Sequence, residues 1–178
     1  MLKPTRPWSY SALNAFETCP RRYQLTRVTK EAHERQHEAS IWGNKVHKHL
    51  EDYANGKNQL PKDLQKYAKY VDKIFTYEGW KTGKRKPNSD QLMLFAALAF
   101  AYYPWIEKVV CGFIWLKDSS FDKEIYTREQ IQEIWSEFLP RVDRLEIAFN
   151  EDKWQAKPSG LCRNWCPVGK KLCEFCGE

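Results

Sequence analysis

Four cysteines crowd the last seventeen residues as Cys162-x3-Cys166-x6-Cys173-x2-Cys176, and a fifth, Cys19, stands far upstream in Cys19-Pro20-Arg21-Arg22-Tyr23. Thiolates at this spacing can converge on one soft metal or cluster, and a distant fifth sulfur lets such a centre tie the two ends of the chain together. Disulfides are the competing use of the same residues, and they need an oxidising compartment. The amino terminus, Met1-Leu2-Lys3-Pro4-Thr5-Arg6-Pro7, is basic but lacks the apolar core of a signal peptide, and no stretch approaches the length of a membrane span. The expectation is a cytoplasmic protein with no membrane partner, whose clustered cysteines hold a metal or cluster. Cys111 is different: it lies in the apolar run Val109-Val110-Cys111-Gly112-Phe113 and reads as a small buried hydrophobe.

A chain of 178 residues with 15% aromatic content suits one compact domain spanning 1–178. Its formal charge of +6 permits nucleic-acid binding without demanding it, because an evenly spread excess mainly aids solubility. Distribution matters more than the sum. The densest basic run is Lys81-Thr82-Gly83-Lys84-Arg85-Lys86, with smaller groups at Arg21-Arg22, from Lys45 to His49, and at Lys170-Lys171. By itself such a run is usually a solvated loop.

The apolar periodicity is mostly helical. Ser9 and Ser11 can cap a short helix carrying Leu13 and Phe16 inward, and Pro20 suits the first turn of another that carries Tyr23. A longer helix is predicted after Ser40, with Val46, Leu50 and Tyr53 as its apolar stripe. On a neighbouring face Gly43, His47 and Glu51 recur every four residues. Asn55-Gly56 ends it. The next helix is predicted from Pro61, burying Leu64, Tyr67, Ala68, Val71, Ile74 and Phe75. A basic loop from Gly79 to Pro87 follows. Helix resumes near Ser89-Asp90, where Leu92, Leu94, Phe95, Leu98, Ala99 and Tyr102 form a broad surface expected to be largely covered, and Pro104 closes it.

Strand character is confined to Lys108–Leu116 and to a second short segment through Glu124, Ile125 and Tyr126, which together read as a hairpin turning at Asp118-Ser119-Ser120. Thr127 with Gln130 forms a capping-box pattern that opens a long helix carrying Ile131, Ile134, Trp135, Phe138, Val142, Leu145 and Phe149. The fold class is therefore α+β, mainly helical with a small residual sheet. The tail from 160 to 178 is loop-like and needs a staple of its own. With Cys19 it forms the cysteine clamp.

Several of these patterns occur in an order that resembles one family. Ser9-x-Ser11-x-Leu13-x2-Phe16-x2-Cys19-Pro20-Arg21-Arg22-Tyr23, then Gly43-Asn44-x-Val46-His47-x2-Leu50-Glu51, Lys81-Thr82-Gly83-Lys84, Gln91-Leu92-x-Leu94-Phe95 and the cysteine tail are similar to the RecB-type PD-(D/E)XK nucleases. The likeness is greatest to their iron-sulfur branch of phage and CRISPR-associated exonucleases. It implies that His47 helps bind a divalent metal, that Lys81 is the active-site lysine, and that Gln91 is the glutamine of the following helix. That glutamine usually opens a Q-x3-Y motif, and Phe95 replaces the tyrosine here. It further implies that Cys19, Cys162, Cys166 and Cys173 ligate a 4Fe-4S cluster, with Cys176 an unassigned neighbour or a replacement ligand. The residues themselves leave open a second closure, the four tail cysteines around zinc.

The chain departs from the family pattern at the lysine. Two positions before Lys81, where the resemblance calls for an acidic residue, stands Gly79; Glu78 makes E-x2-K, and on a strand a one-residue shift points a side chain to the opposite face. Little sequence separates the helix ending near Phe75 from Lys81, so the family's intervening strands and their aspartate have no room. Mg2+ or Mn2+ would need those carboxylates, since hard ions prefer oxygen ligands. A bulge turning Glu78 inward, with Glu51 as a second carboxylate, would partly rebuild the site. Two functions follow. One is a metal-dependent nuclease acting on DNA, on single strands or ends. The other is a nuclease-derived module that binds DNA or docks a partner protein without cutting. In both, Lys84, Arg85, Lys86, Arg21 and Arg22 are the expected DNA contacts.

Overall fold

The structure, a computed structural model, describes residues 6–33, 38–71, 79–81, 90–116 and 120–177. It is α+β and mainly helical with a small sheet, as the periodicity predicts. Its contacts gather into two compact units. The first joins Met1–Arg35 to Trp135–Glu178, and the second is Gln36–Ile134. No helix among the described residues is long and apolar enough to cross a membrane.

In the first unit, α1 (Tyr10–Thr18) starts where Ser9 Oγ accepts the Ala12 N–H at 3.2 Å, and it buries Leu13 and Phe16. Pro20 opens α2 (Pro20–Tyr23), whose missing N–H costs nothing at a helix start. One π-helical turn, Gln24–Val28, continues it and buries Leu25. Phe16, Tyr23, Leu145, Ala148 and Trp154 form an aromatic core here. Within it Trp154 stacks on Tyr23 at 6.1 Å and meets Phe16 and Phe149 edge-on. Burial raises the Tyr23 phenol above its usual range, partly offset by Arg27.

The second unit is built on a three-stranded mixed sheet, β1 (Gly79–Lys81), β2 (Lys108–Trp115) and β3 (Ser120–Thr127), in that order. β3 lies antiparallel to β2 along its whole length, and β1 runs parallel to β2 from Gly79 opposite Phe113 to Lys81 opposite Trp115. Burial along β2 rises toward its end. Its first three residues are exposed or half-buried, whereas Cys111 to Trp115 are all buried, and the last three of these are the ones that β1 pairs. Ile114 joins one core cluster with Val46, Leu50, Leu60, Leu64, Tyr67 and Val71. Cys111 is fully buried, as its apolar neighbours predict. Beside it Gly112 is packed against Phe121 so closely that a Cβ would come within 2.5 Å of the ring and 2.8 Å of the Asp122 carbonyl oxygen.

Several expected elements differ. The helix predicted after Ser40 is α3 (Glu38–Ala54) and already runs at Glu38, because Glu38 and Ala39 are better helix residues than a cap. It ends at Asn55-Gly56, with Gly56 at φ +68 as a left-handed C-terminal glycine. Over its described part, the helix predicted from Pro61 opens instead as a turn and a 3-10 segment, Gln65–Tyr67, and is α-helical over α4 (Ala68–Val71). Leu64, Tyr67 and Val71 are still buried, so the core needed their spacing more than a continuous helix. Ile74 and Phe75 lie outside the described residues. The basic loop expected from Gly79 is, over Gly79–Lys81, a strand, because pairing to a buried β2 overrides weak local strand preference. On α5 (Asp90–Tyr102), Leu98 and Tyr102 are exposed rather than covered, and Ala96, Ala97 and Phe100 are buried in their place.

The capping box at Thr127 and Gln130 is present and leads through a 3-10 turn into α6 (Ile131–Glu151). Its buried line is Ile134, Phe138, Val142, Leu145 and Ala148, at the predicted helical spacing. Pro140 falls on its exposed side.

Candidate functional site

Lys81 closes β1, its backbone aligned with Trp115. Ile114 relates this strand to α3: its backbone pairs with Trp80, and its side chain belongs to the cluster that holds Val46 and Leu50. Those two residues flank His47 in sequence. His47 is half-buried on α3, and Glu51 lies exposed one turn later. Glu51 faces Lys48 at 3.8 Å, but Lys48 is nearer Asp52 at 3.0 Å, and the hydrogen bond and charge of Asp52 raise the Lys48 ammonium above its usual range. Gln91 is half-buried in the first turn of α5. Glu78, Lys84, Arg85 and Lys86 lie outside the described residues.

Hard divalent ions need several oxygen ligands converging within reach of one another. Among the described residues no three His, Cys, Asp or Glu side chains gather into a metal-binding group. On β1 the position two before Lys81 is glycine, which offers no donor. The described residues therefore do not make a Mg2+ or Mn2+ site.

The five clamp cysteines all belong to the first unit, where the two chain ends meet, and all six cysteines are free thiols. The Cys19 sulfur caps α2 by accepting the Arg22 N–H at 3.5 Å, and it also accepts the Lys157 N–H at 3.4 Å from the tail. The Ser159 N–H donates to the Cys162 sulfur at 3.4 Å, and the Gly177 N–H to the Cys162 carbonyl oxygen at 3.1 Å. Cys176 is buried with Leu25, Ala32 and Val168, against Cys166 and Cys173. Burial first, then hydrogen bonds and charge from Cys166 and Cys173, push its thiol up to about 12. Amide N–H groups aimed at sulfur suit a thiolate ligand, and thiols suit a soft centre. The donor chemistry fits an iron-sulfur or zinc centre, although these sulfurs do not form a closed ligand set.

Sequence reasoning did not anticipate how the tail after α6 is used. The Arg21 N–H donates to the Gln155 carbonyl oxygen at 3.2 Å, tying α2 to the extended segment 153–159. On one side of that tie is a cleft of about 540 Å³ lined by Glu17, Arg144, Lys153, Gln155 and Lys157 among others. On the other is a cleft of about 520 Å³ lined by Arg21, Trp154, Ala156, Lys170, Lys171, Glu174 and Phe175 among others. Odd and even residues of the segment thus face different clefts, the period of extended chain. Charges at Lys153 and Lys157 around Trp154 were the available signal. The Glu17 carboxylate in the first cleft is held by Arg141, through Nε at 2.7 Å and Nη2 at 2.8 Å.

No curated protein and no solved structure matches the chain. A family model described as the PD-(D/E)XK nuclease superfamily matches residues 7–107, a stretch that takes in α1, the Cys19 segment, α3 with His47, the lysine strand β1 and α5 with Gln91. That match covers more than half of the 178 residues, and the chain belongs to the PD-(D/E)XK nuclease superfamily.

Proposed function

We propose that this protein processes DNA as a RecB-type nuclease, acting on single strands or ends by phosphodiester hydrolysis, with Lys81 as the residue that meets the phosphate. The observation that carries the reading is β1: the Trp80-Lys81 segment is a strand of a mixed sheet, paired to a buried neighbour. A lysine on a paired strand can be held where charge develops on a phosphate oxygen and stabilise it there. Gln91 and His47 are the accompanying polar groups, and Arg21, Arg22, Lys84, Arg85 and Lys86 supply contacts to the DNA backbone. Glu78 and Glu51 are the carboxylates that a divalent ion would need beside them.

Gly79 favours a second reading, a nuclease-derived protein that binds DNA or docks a partner without cutting. One assay separates the two. Labelled single- and double-stranded DNA is incubated with Mg2+ or Mn2+ and wild-type or K81A protein. The first reading expects wild-type cleavage that K81A lowers by roughly a hundredfold or more. DNA retained by the wild type but never cut would replace it with the second.

The cysteine clamp serves either reading as a structural staple for a tail with little core of its own. We assign it a 4Fe-4S cluster on Cys19, Cys162, Cys166 and Cys173, supported by the N–H donors at Cys19 and Cys162. The alternative is zinc on the four tail cysteines. Protein purified without oxygen is expected to show iron and visible absorption that C19S abolishes. Stoichiometric zinc that C19S retains would assign the tail knuckle instead.

A further inference from the structure

The two clefts of the first unit present six cationic side chains, Arg144, Lys153 and Lys157 in one and Arg21, Lys170 and Lys171 in the other, against two carboxylates, Glu17 and Glu174. The whole chain has a formal charge of +6. A large part of the positive excess is therefore gathered on either side of one backbone tie rather than spread over the surface, and gathered charge is what recruits a polyanion.

The ion pairing within the clefts leaves that charge usable. Glu17 is held by Arg141 at 2.7 Å and also lies 3.7 Å from Arg144, so two arginines offset its one charge; the Arg144 contact is long and Arg144 is largely exposed, which leaves that guanidinium open to a second anion. Lys157 donates to the neutral Glu17 carbonyl oxygen at 3.0 Å, and Arg21 to the amide oxygen of Gln24 at 2.7 Å. Neither contact involves a carboxylate. Lys170 and Lys171 are exposed and form no ion pair among the described residues. Lys153 pairs with Glu151 at 2.9 Å, but both are largely exposed, and such a pair is weak in water. Each cleft is of a size that takes about one or two nucleotides. Phe175 in the second cleft is half-buried and adds an aromatic edge, as strand-binding grooves commonly do.

We propose that the two clefts bind successive nucleotides of one DNA single strand, which crosses the Arg21–Gln155 tie with its phosphates on the lysines and arginines at either side. This rests on reading the protein as DNA-processing, and it gives the first unit a substrate-holding task separate from Lys81.

The test measures binding of a labelled oligothymidylate by fluorescence anisotropy, without divalent metal, between about 50 and 200 mM salt. The wild type is expected to prefer the single strand to a duplex of equal length. K153E and the double variant K170E/K171E are each expected to weaken it by roughly tenfold or more. The double variant should also flatten the salt dependence by about 1.4 in log–log slope, the share of two phosphate contacts on a single strand. K170R/K171R should restore affinity and slope. Wild-type affinity and slope in K170E/K171E, or a preference for duplex, would overturn the proposal. Cleavage is read separately. Binding at the clefts without cutting removes only the hydrolytic reading, and cutting that ignores the cleft variants removes only this one.

Discussion

Phe138→Ala is expected to lower the free energy of unfolding by about 4 kcal/mol, the upper range for an aromatic removed from a closed core. Phe138 has no exposed surface on α6, and its ring is a platform for two neighbours. Trp8 stacks on it at 6.3 Å, and the Arg141 guanidinium lies 5.0 Å from its centroid. That same guanidinium is the fork that holds Glu17. The substitution therefore opens a cavity and also loosens the arginine that keeps the Glu17 charge neutralised. In a chain of this length each kcal/mol moves the melting temperature by roughly 2–4 °C, so a fall on the order of 8–16 °C should be seen. Urea unfolding should show a lower midpoint at unchanged slope. Ile147→Ala on the same helix, at a residue 52% exposed, should change stability by no more than about 0.5 kcal/mol. Equal effects at the two positions would mean that α6 does not bury the face described.

Arg128→Ala should cost about 3 kcal/mol, although no apolar surface of that size is lost. One guanidinium serves three carbonyl oxygens at and beyond the end of α5. Nη2 donates to Tyr103 at 2.9 Å and to Ile106 at 2.6 Å, Nε donates to Ile106 at 2.9 Å, and Nη1 reaches Phe100 at 3.4 Å. It also lies 5.2 Å from the centre of the Phe100 ring. The Tyr103 carbonyl oxygen also accepts the Ile106 N–H at 3.2 Å, but the Phe100 and Ile106 carbonyls sit at and beyond a helix end, where the helix itself supplies no donor, so removing the guanidinium takes away their charged partner. The Glu107 contact at 3.4 Å adds little, because Glu107 is 77% exposed. Two comparisons separate these contributions. Glu107→Gln should be nearly silent in thermal unfolding, whereas Arg128→Lys should lose more than half of the effect, since an ammonium cannot span three acceptors in a planar fork. A silent Arg128→Ala would show that water replaces the fork at no cost.

Local chemistry made much of the fold legible. Ser9, Pro20, Gly56 and the Thr127–Gln130 box act within four residues of their targets, and the buried line of α6 follows directly from helical period. The site was less legible. Gly79–Lys81 has three residues and basic neighbours, so nothing local distinguishes it from a loop; only Phe113, Ile114 and Trp115, more than thirty positions away, make it a strand. The cysteine spacing raised the expectation of a shared centre, but it could not say that the Cys19 sulfur would take an N–H from Lys157.

What the sequence by itself determined is therefore everything governed by period and nearest neighbours: helix and strand type, caps, the α+β class, and a cysteine-rich tail in need of a staple. Tertiary structure alone decided which distant segments became neighbours. It joined the first 35 residues to the last 44, paired β1 with β2, and divided the Lys153 to Lys157 segment between two cationic clefts. The physical reason is that backbone pairing and desolvation reward contacts regardless of separation along the chain, whereas propensity and capping act only within a turn or two.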